Sequence, residues 1–288
     1  LIGEPVTCLV SRHITRELGE KISGRTALSP AAMEATHDLD FLLWCLQPRK
    51  PVKVYSQTSG KLFSKNSNTP DHQWIMVTLD DGMTITIGAG WILPLGYPNF
   101  SNTWIEVIGT DGSLFIDDTP AINIGTLASR ARRLKRKHGL GAIVIDYLQL
   151  LRPSKISRNE SRVLELSEIT QGLKALAKEM NIPVIALSQL SRQVEQREDK
   201  KPLLSDLRES GSIEQDSDVV MFIYREEYYL EKSEPALGTA DYIEWQQKMD
   251  EISHLAEIRI GKQRHGPTGN VKVEFEAMYT KFKDFDNK

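Results

Sequence analysis

The sequence predicts an α/β chain of two unlike parts: a mostly antiparallel α+β sheet unit over residues 1–118, then a parallel sheet with helices over residues 119–288. Three observations predict it. The chain has 288 residues, long for one core and ordinary for two domains of about 100–200 residues each. Charge changes across Thr119: residues 1–119 hold 9 Lys and Arg against 13 Asp and Glu, and the remainder holds 27 against 26. The texture changes there too, from strands parted by Gly, Pro and Asp turns to short apolar strands alternating with charged helices.

In the first part, Pro5 to Val10 reads as a strand, and Met33 to Leu46 as a helix because Leu39, Leu42, Leu43 and Leu46 recur at helical spacing. Val52 to Gln57, Gln73 to Leu79, Thr84 to Ala89 and Trp104 to Ile108 read as strands. Asp80-Asp81-Gly82 is a hairpin signal between two of them, and Ser59 to Pro70 is a loop. The second part gives helix Ile124 to Lys137, strand Ala142 to Ile145, helix Glu160 to Met180, strand Pro183 to Leu187 and strand Val219 to Tyr224. Strands joined through amphipathic helices imply crossovers and a parallel sheet. Gly139 and Gly141 stop the first of these helices.

Composition removes several classes. With 40% hydrophobic and 26% charged residues the chain is a folding, globular one, and a net charge of −3 gives no overall argument for nucleic acid or membrane. Two cysteines, Cys8 and Cys45, without a CxxC or Cys/His cluster, support neither a disulfide framework nor a zinc site, so a reducing cytoplasm is expected. No apolar run reaches the length of a membrane helix, and the opening LIGEPVTCLVSRH lacks the features of a signal peptide. The first residue is Leu1, which suggests a fragment or processed chain.

The chemistry-bearing residues of the second part lie at strand ends. AIVID places Asp146 at the carboxyl end of a buried strand, where open α/β sheets bind ligands and where a carboxylate can orient Mg²⁺ through water; a plain strand end has the same look. IPVIALSQL ends in Ser188 and Gln189, and that amide could sense a terminal phosphate. DLRESGSIEQDSD is a polar stretch that also reads as a surface loop. IGKQRHGPTG sets Lys262 and Arg264 two residues apart on one strand face, which a solvated edge would equally do. The basic run RARRLKRK, Arg130 to Lys137, reads as a solvated helix face.

Taken in order, IDYLQLL, IPVIALSQLSR, LRESGSIEQDSD and KQRHGPTG resemble the C-terminal motor of the bacterial replicative helicases of the DnaB family, over about residues 114–288. The resemblance implies a RecA-like fold, partial here, and a homohexameric ring that hydrolyses ATP with Mg²⁺ and moves on single-stranded DNA. It implies Asp146 as the Walker B carboxylate that holds Mg²⁺ through water, Gln189 as the γ-phosphate sensor, and Arg264 with Lys262 as the finger inserted into a neighbour's site. Arg208, Glu209 and Gly211 are implied as the channel loop that holds the DNA backbone. The family's phosphate-cradling GxxxxGK[ST] is missing. Its one near-match, GEKISGRT from Gly19 to Thr26, has Arg25 for the lysine and no apolar strand leading in, so it is expected to be coincidental and the chain to bind nucleotide poorly.

The first part has a different kinship. THDLDFLLW places His37, Asp40 and Trp44 on one helix face, an arrangement that could serve proton transfer or simply packing. With WILPLGYPNF and WIEVIGTDGSLFID it resembles the C-terminal domain of the glucose-fructose oxidoreductase and inositol dehydrogenase family, over about residues 1–118. That resemblance implies an NAD(P)-dependent parent in which His37 acts near the nicotinamide. Met33 stands where that family often has Asp, and no GxGxxG follows a strand, so the dinucleotide site is absent from the sequence. Both families accommodate LFIDD, Leu114 to Asp118. The sequence therefore reads as a chimera joined there, each parent without its cofactor-binding front, and as a chain is expected to be an incompetent motor.

Overall fold

A computed structural model describes residues 2–25, 28–62, 69–154, 161–207 and 211–285. Arg208 and Glu209 lie outside the described residues, as do Thr26 and the middle of the predicted loop Ser59 to Pro70. The chain divides into two units, Leu1–Pro120 and Ala121–Lys288. Each is described by itself.

Unit 1 is a six-stranded sheet in the order β2-β3-β4-β1-β5-β6, made of β1 (Pro5–Thr15), β2 (Pro51–Ser59), β3 (His72–Leu79), β4 (Thr84–Leu93), β5 (Ser101–Gly109) and β6 (Ser113–Asp117). Every pairing is antiparallel except β1 with β4. Helix α1 (Arg16–Ser23) follows β1, and a π-helical turn, Ala31–Ala35, leads into α2 (Thr36–Cys45). One sheet face carries Cys8 and Val10 of β1, Ile85 and Ile87 of β4 and Val107 of β5, buried with Leu42 and Leu46 from the α2 segment. Each such aliphatic side chain contributes about 1.5–3 kcal/mol by leaving water. The predicted hairpin is present: Leu79 donates to the Met83 carbonyl at 2.8 Å, and Gly82 takes φ +89°, which glycine adopts without strain. Residues 19–23 of the GEKISGRT near-match lie in α1 rather than in a loop. Gly19 is there because a Cβ would stand 2.4 Å from Trp91 Cβ, so the glycine lets α1 approach β4.

Unit 2 begins with α3 (Ile124–His138), capped by Asn123 Oδ1 accepting from Thr126 N at 2.8 Å and ended at Gly139, φ +74°. Strands β7 (Ile143–Ile145) and β8 (Val184–Ala186) pair in parallel, Ile145 opposite Ala186, with α4 (Arg162–Met180) as the crossover. Ile145, Leu166, Ile169 and Leu173 form the core between them. Then come α5 (Gly211–Asp216), β9 (Val219–Tyr224), α6 (Glu226–Glu231), α7 (Ala240–Ile252), β10 (Leu255–Gln263), β11 (Gly269–Glu276) and β12 (Lys281–Asp284). These last strands form a separate antiparallel sheet in the order β12-β11-β10-β9. The α/β class holds, with parallel and antiparallel strands both present, but β9 is not a third parallel strand. VVMFIY is apolar at every position, the pattern of a strand buried on both faces, yet Met221 and Ile223 are 60% and 58% exposed while Val220, Phe222 and Tyr224 are buried. Among the described residues no helix is long and apolar enough to cross a membrane.

Candidate functional site

Two predicted residues lie past the carboxyl ends of the parallel pair. Asp146 follows β7 and Gln189 stands three residues beyond β8, and both are exposed. Leu187 donates to the Ile145 carbonyl at 2.9 Å and Leu148 to the Leu187 carbonyl at 2.9 Å, which carries the pairing one step past the strands to Leu187 and Leu148. The side chain that ties the two ends is Gln149. Its Nε2 donates to Ser188 Oγ at 3.0 Å and to the Gln189 carbonyl at 3.4 Å, while its Oε1 accepts from Gln189 N at 3.2 Å. Arg162, at the start of α4, donates to the Gln149 carbonyl at 2.7 Å. Sequence reasoning did not single out Gln149, although its place in IDYLQLL, next to the strand end, was the available signal.

Lys262 and Arg264 meet at a second place, the end of α5. Lys262 Nζ donates to the carbonyl oxygens of Glu214 and Ser217, the latter at 3.0 Å, and is half-buried. Arg264 lies just past β10. It pairs with Asp218 at 3.3 Å, donates to the Gln215 carbonyl at 3.3 Å, and keeps 45% of its side chain in solvent. The same segment is fastened to α4, where Thr170 Oγ1 bonds Asp216 at 2.6 Å and Lys174 pairs with Asp218. Lys174 and Arg264 hold the Asp218 carboxyl below its ordinary range, the lysine hydrogen bond being the larger cause. Gly211 opens α5 with nothing within 4 Å of a Cβ built on it.

In unit 1, His37 is exposed on α2, as are Asp40 and Trp44. The carboxylate that α2 buries is a different one. Asp38, 2% exposed, accepts from Nε and Nη2 of Arg12 on β1, each at 2.6 Å. Sequence reading missed this pair because Asp38 and Arg12 are 26 residues apart and only the α2-on-sheet packing unites them. On the sheet, His13 and His72 place their Nε2 atoms 3.1 Å apart. Burial, with His72 nearby, pushes the His13 imidazole down to about 4.

The residues present do not complete a nucleotide site. Asp146 and Gln189 have the donor chemistry for the edge of a Mg²⁺-bound phosphate, but among the described residues no phosphate-cradling loop accompanies them, and residues 19–23 of the near-match are helical.

A parallel strand pair crossed over by a helix, with polar residues past its carboxyl ends, is the α/β arrangement in which ligands bind at the strand ends. Residues 102–284 match the model of the DnaB-like helicase C terminal domain, and the chain belongs to that family. Residues 31–115 match a second model, the GFO/IDH/MocA C-terminal domain, so the two matches share residues 102–115. The replicative DNA helicase DnaB of Rickettsia felis is 60% identical over 174 residues, 60% of this chain and 35% of that protein. That of Rickettsia bellii is 59% identical over 272 residues, 93% of this chain and 54% of that protein. A solved structure described as a DnaB-like replicative helicase and its interactions with primase is 41% identical, covering 57% of this chain and 35% of its own, with a TM-score of 0.48. The chain thus spans between about a third and a half of the length of these curated relatives.

Proposed function

We propose that residues 119–288 are the motor portion of an ATP-dependent replicative DNA helicase, and that residues 1–118 are a domain of oxidoreductase descent joined in front of it. The observation that supports the reading is that Asp146 and Gln189 both follow the carboxyl ends of the parallel pair β7–β8, where Gln149 ties the Ser188–Gln189 segment to the loop after β7. Asp146 takes the Mg²⁺-orienting role through water and Gln189 the phosphate-sensing role. Arg264, with Lys262, is the element offered to a neighbouring subunit of a homohexameric ring, and Arg208, Glu209 and Gly211 contact single-stranded DNA. Arg264 suits a role in trans because its guanidinium is half in solvent while its backbone is fixed by a 2.8 Å bond to the Asp218 carbonyl. The cytoplasm is the matching location. Without a phosphate cradle the chain alone turns over no ATP and acts only within a mixed ring, as a subunit that spoils its neighbours' cycle.

Two measurements test this. A fluorescent ATP analogue titrated into the chain alone is expected to show no saturable binding in the micromolar range; tight binding would overturn the incomplete-site reading. Mixed with a full-length DnaB helicase of a relative, the chain is expected to lower its DNA-stimulated ATP hydrolysis, and unchanged hydrolysis would overturn the ring reading.

The match of residues 31–115 supports a second parent, an NAD(P)-dependent sugar or polyol oxidoreductase in which His37 moves the proton. Its readout is NAD(P) binding to the chain, and none is expected here because no GxGxxG is present.

A further inference from the structure

Unit 1 carries a histidine pair that neither family reading uses. His13 on β1 and His72 on β3 are not on adjacent strands. Both lie opposite Gly90 of β4, which runs between them. Gly90 has no side chain to part the rings: a Cβ there would stand 2.7 Å from His72 Cδ2. The imidazoles therefore meet over the middle strand, planes 23° apart and Nε2 atoms 3.1 Å apart. On the same face Trp74 of β3 lies over Gly88 in the same manner, and its ring packs edge-on against His72 with centroids 5.2 Å apart. The far nitrogen of His13 is fixed as well, Nδ1 lying 2.9 Å from Ser11 Oγ.

We propose that His13 and His72 together form a binding site for one divalent ion of the imidazole-preferring class, Zn²⁺ or Cu²⁺. Two imidazole nitrogens at 2.0–2.1 Å from a tetrahedral zinc are about 3.3 Å apart, so the Nε2 atoms stand within a few tenths of an ångström of the needed separation. Without an ion, one Nε2–H donates to the other nitrogen. The ion replaces that hydrogen, both Nε2 lone pairs turn to it, and each ring carries its hydrogen on Nδ1. Ser11 Oγ then accepts from His13 Nδ1, the outer-shell bond that fixes a ligating imidazole's tautomer and orientation. Among the described residues no third His, Cys, Asp or Glu joins the pair, so the protein supplies two ligands and water takes the remaining positions. Mg²⁺ and Ca²⁺, which want oxygen, are excluded by the donor set.

Zn²⁺ titrated into the full chain by calorimetry, in excess Mg²⁺, tests the site. One equivalent is expected to bind, with a rise in melting temperature. His13→Gln and His72→Gln should each lose at least tenfold in affinity and most of that rise, Ser11→Ala should lose about tenfold, and His37→Gln should lose nothing. Melting curves without metal show whether each variant folds, and Cu²⁺ electron paramagnetic resonance counts the nitrogens, two in the parent and one in each variant. No Zn²⁺ binding by the parent, or equal binding by His13→Gln and His72→Gln, would overturn the proposal.

Discussion

Gln149 and Gln189 bond each other in both directions across the carboxyl ends of β7 and β8, backbone N–H to side-chain oxygen at 3.2 Å and side-chain nitrogen to backbone carbonyl at 3.4 Å. The side chain of one thus does for the loop what a further ladder rung would do for the strands, and it fixes the backbone of Gln189 at the carboxyl end of the pair.

Gln149→Ala removes that clasp. Three hydrogen bonds of ordinary strength at a partly exposed site are worth about 1–2 kcal/mol together. The expected result is local: amide exchange at Gln189 and Leu190 accelerates about tenfold while the melting temperature of the chain moves little.

Lys262 and Arg264 are expected to separate in a urea titration. Lys262 is half-buried and donates to two carbonyl oxygens at the end of α5, so Lys262→Ala costs about 1.5–3 kcal/mol, the range for bonds from a charged donor. Arg264→Ala breaks an exposed pair and should cost about 0.5 kcal/mol. If Arg264→Ala destabilises as much as Lys262→Ala, Arg264 is a structural residue and loses its case for acting on a neighbour.

Asp38→Ala leaves the Arg12 guanidinium without its carboxylate in a mostly buried place, and breaking such a pair costs about 3–5 kcal/mol. The double variant Arg12→Met with Asp38→Ala is expected to recover much of the loss, because it removes the stranded charge. Thermal melting of both variants checks it.

Burial, reinforced by the hydrogen bond to Glu195, raises the Tyr229 phenol to about 12. The unfolded chain releases that proton near 10, so the group's contribution to stability is whole below pH 10 and declines as pH rises from 10 towards 12. Tyr229→Phe should abolish that part of the decline, and ultraviolet absorbance at 295 nm should show one fewer high-titrating tyrosine.

Local signals carried a good part of this fold. Helices α3 and α4 were legible as amphipathic segments, α3 with its glycine stop, the Asp80–Gly82 hairpin from turn chemistry, and Asp146 from four apolar residues running into a carboxylate. The illegible features are those that distant residues decide. β9 reads as doubly buried, and only its pairing with β10, more than thirty residues on, leaves one face in solvent. Arg12 finds Asp38, and His13 finds His72, through packing and strand order that no spacing encodes. The near-match GEKISGRT failed for a physical reason: Gly19 and its neighbours continue a helix whose glycine answers to Trp91 and not to a phosphate.

The place of β1 between β4 and β5 has a consequence for how unit 1 is made. Of the six strands it is synthesised first, yet neither of its neighbours exists until residues 84–109 have been added. The consecutive strands β2, β3 and β4 meet through nearer contacts in the meantime, while Cys8 and Val10 wait with their apolar surface uncovered. Sheet closure is then a late, long-range event, slow in the way non-local pairings are, and any interruption of synthesis before β5 leaves the chain with an unshielded strand and a template for aggregation.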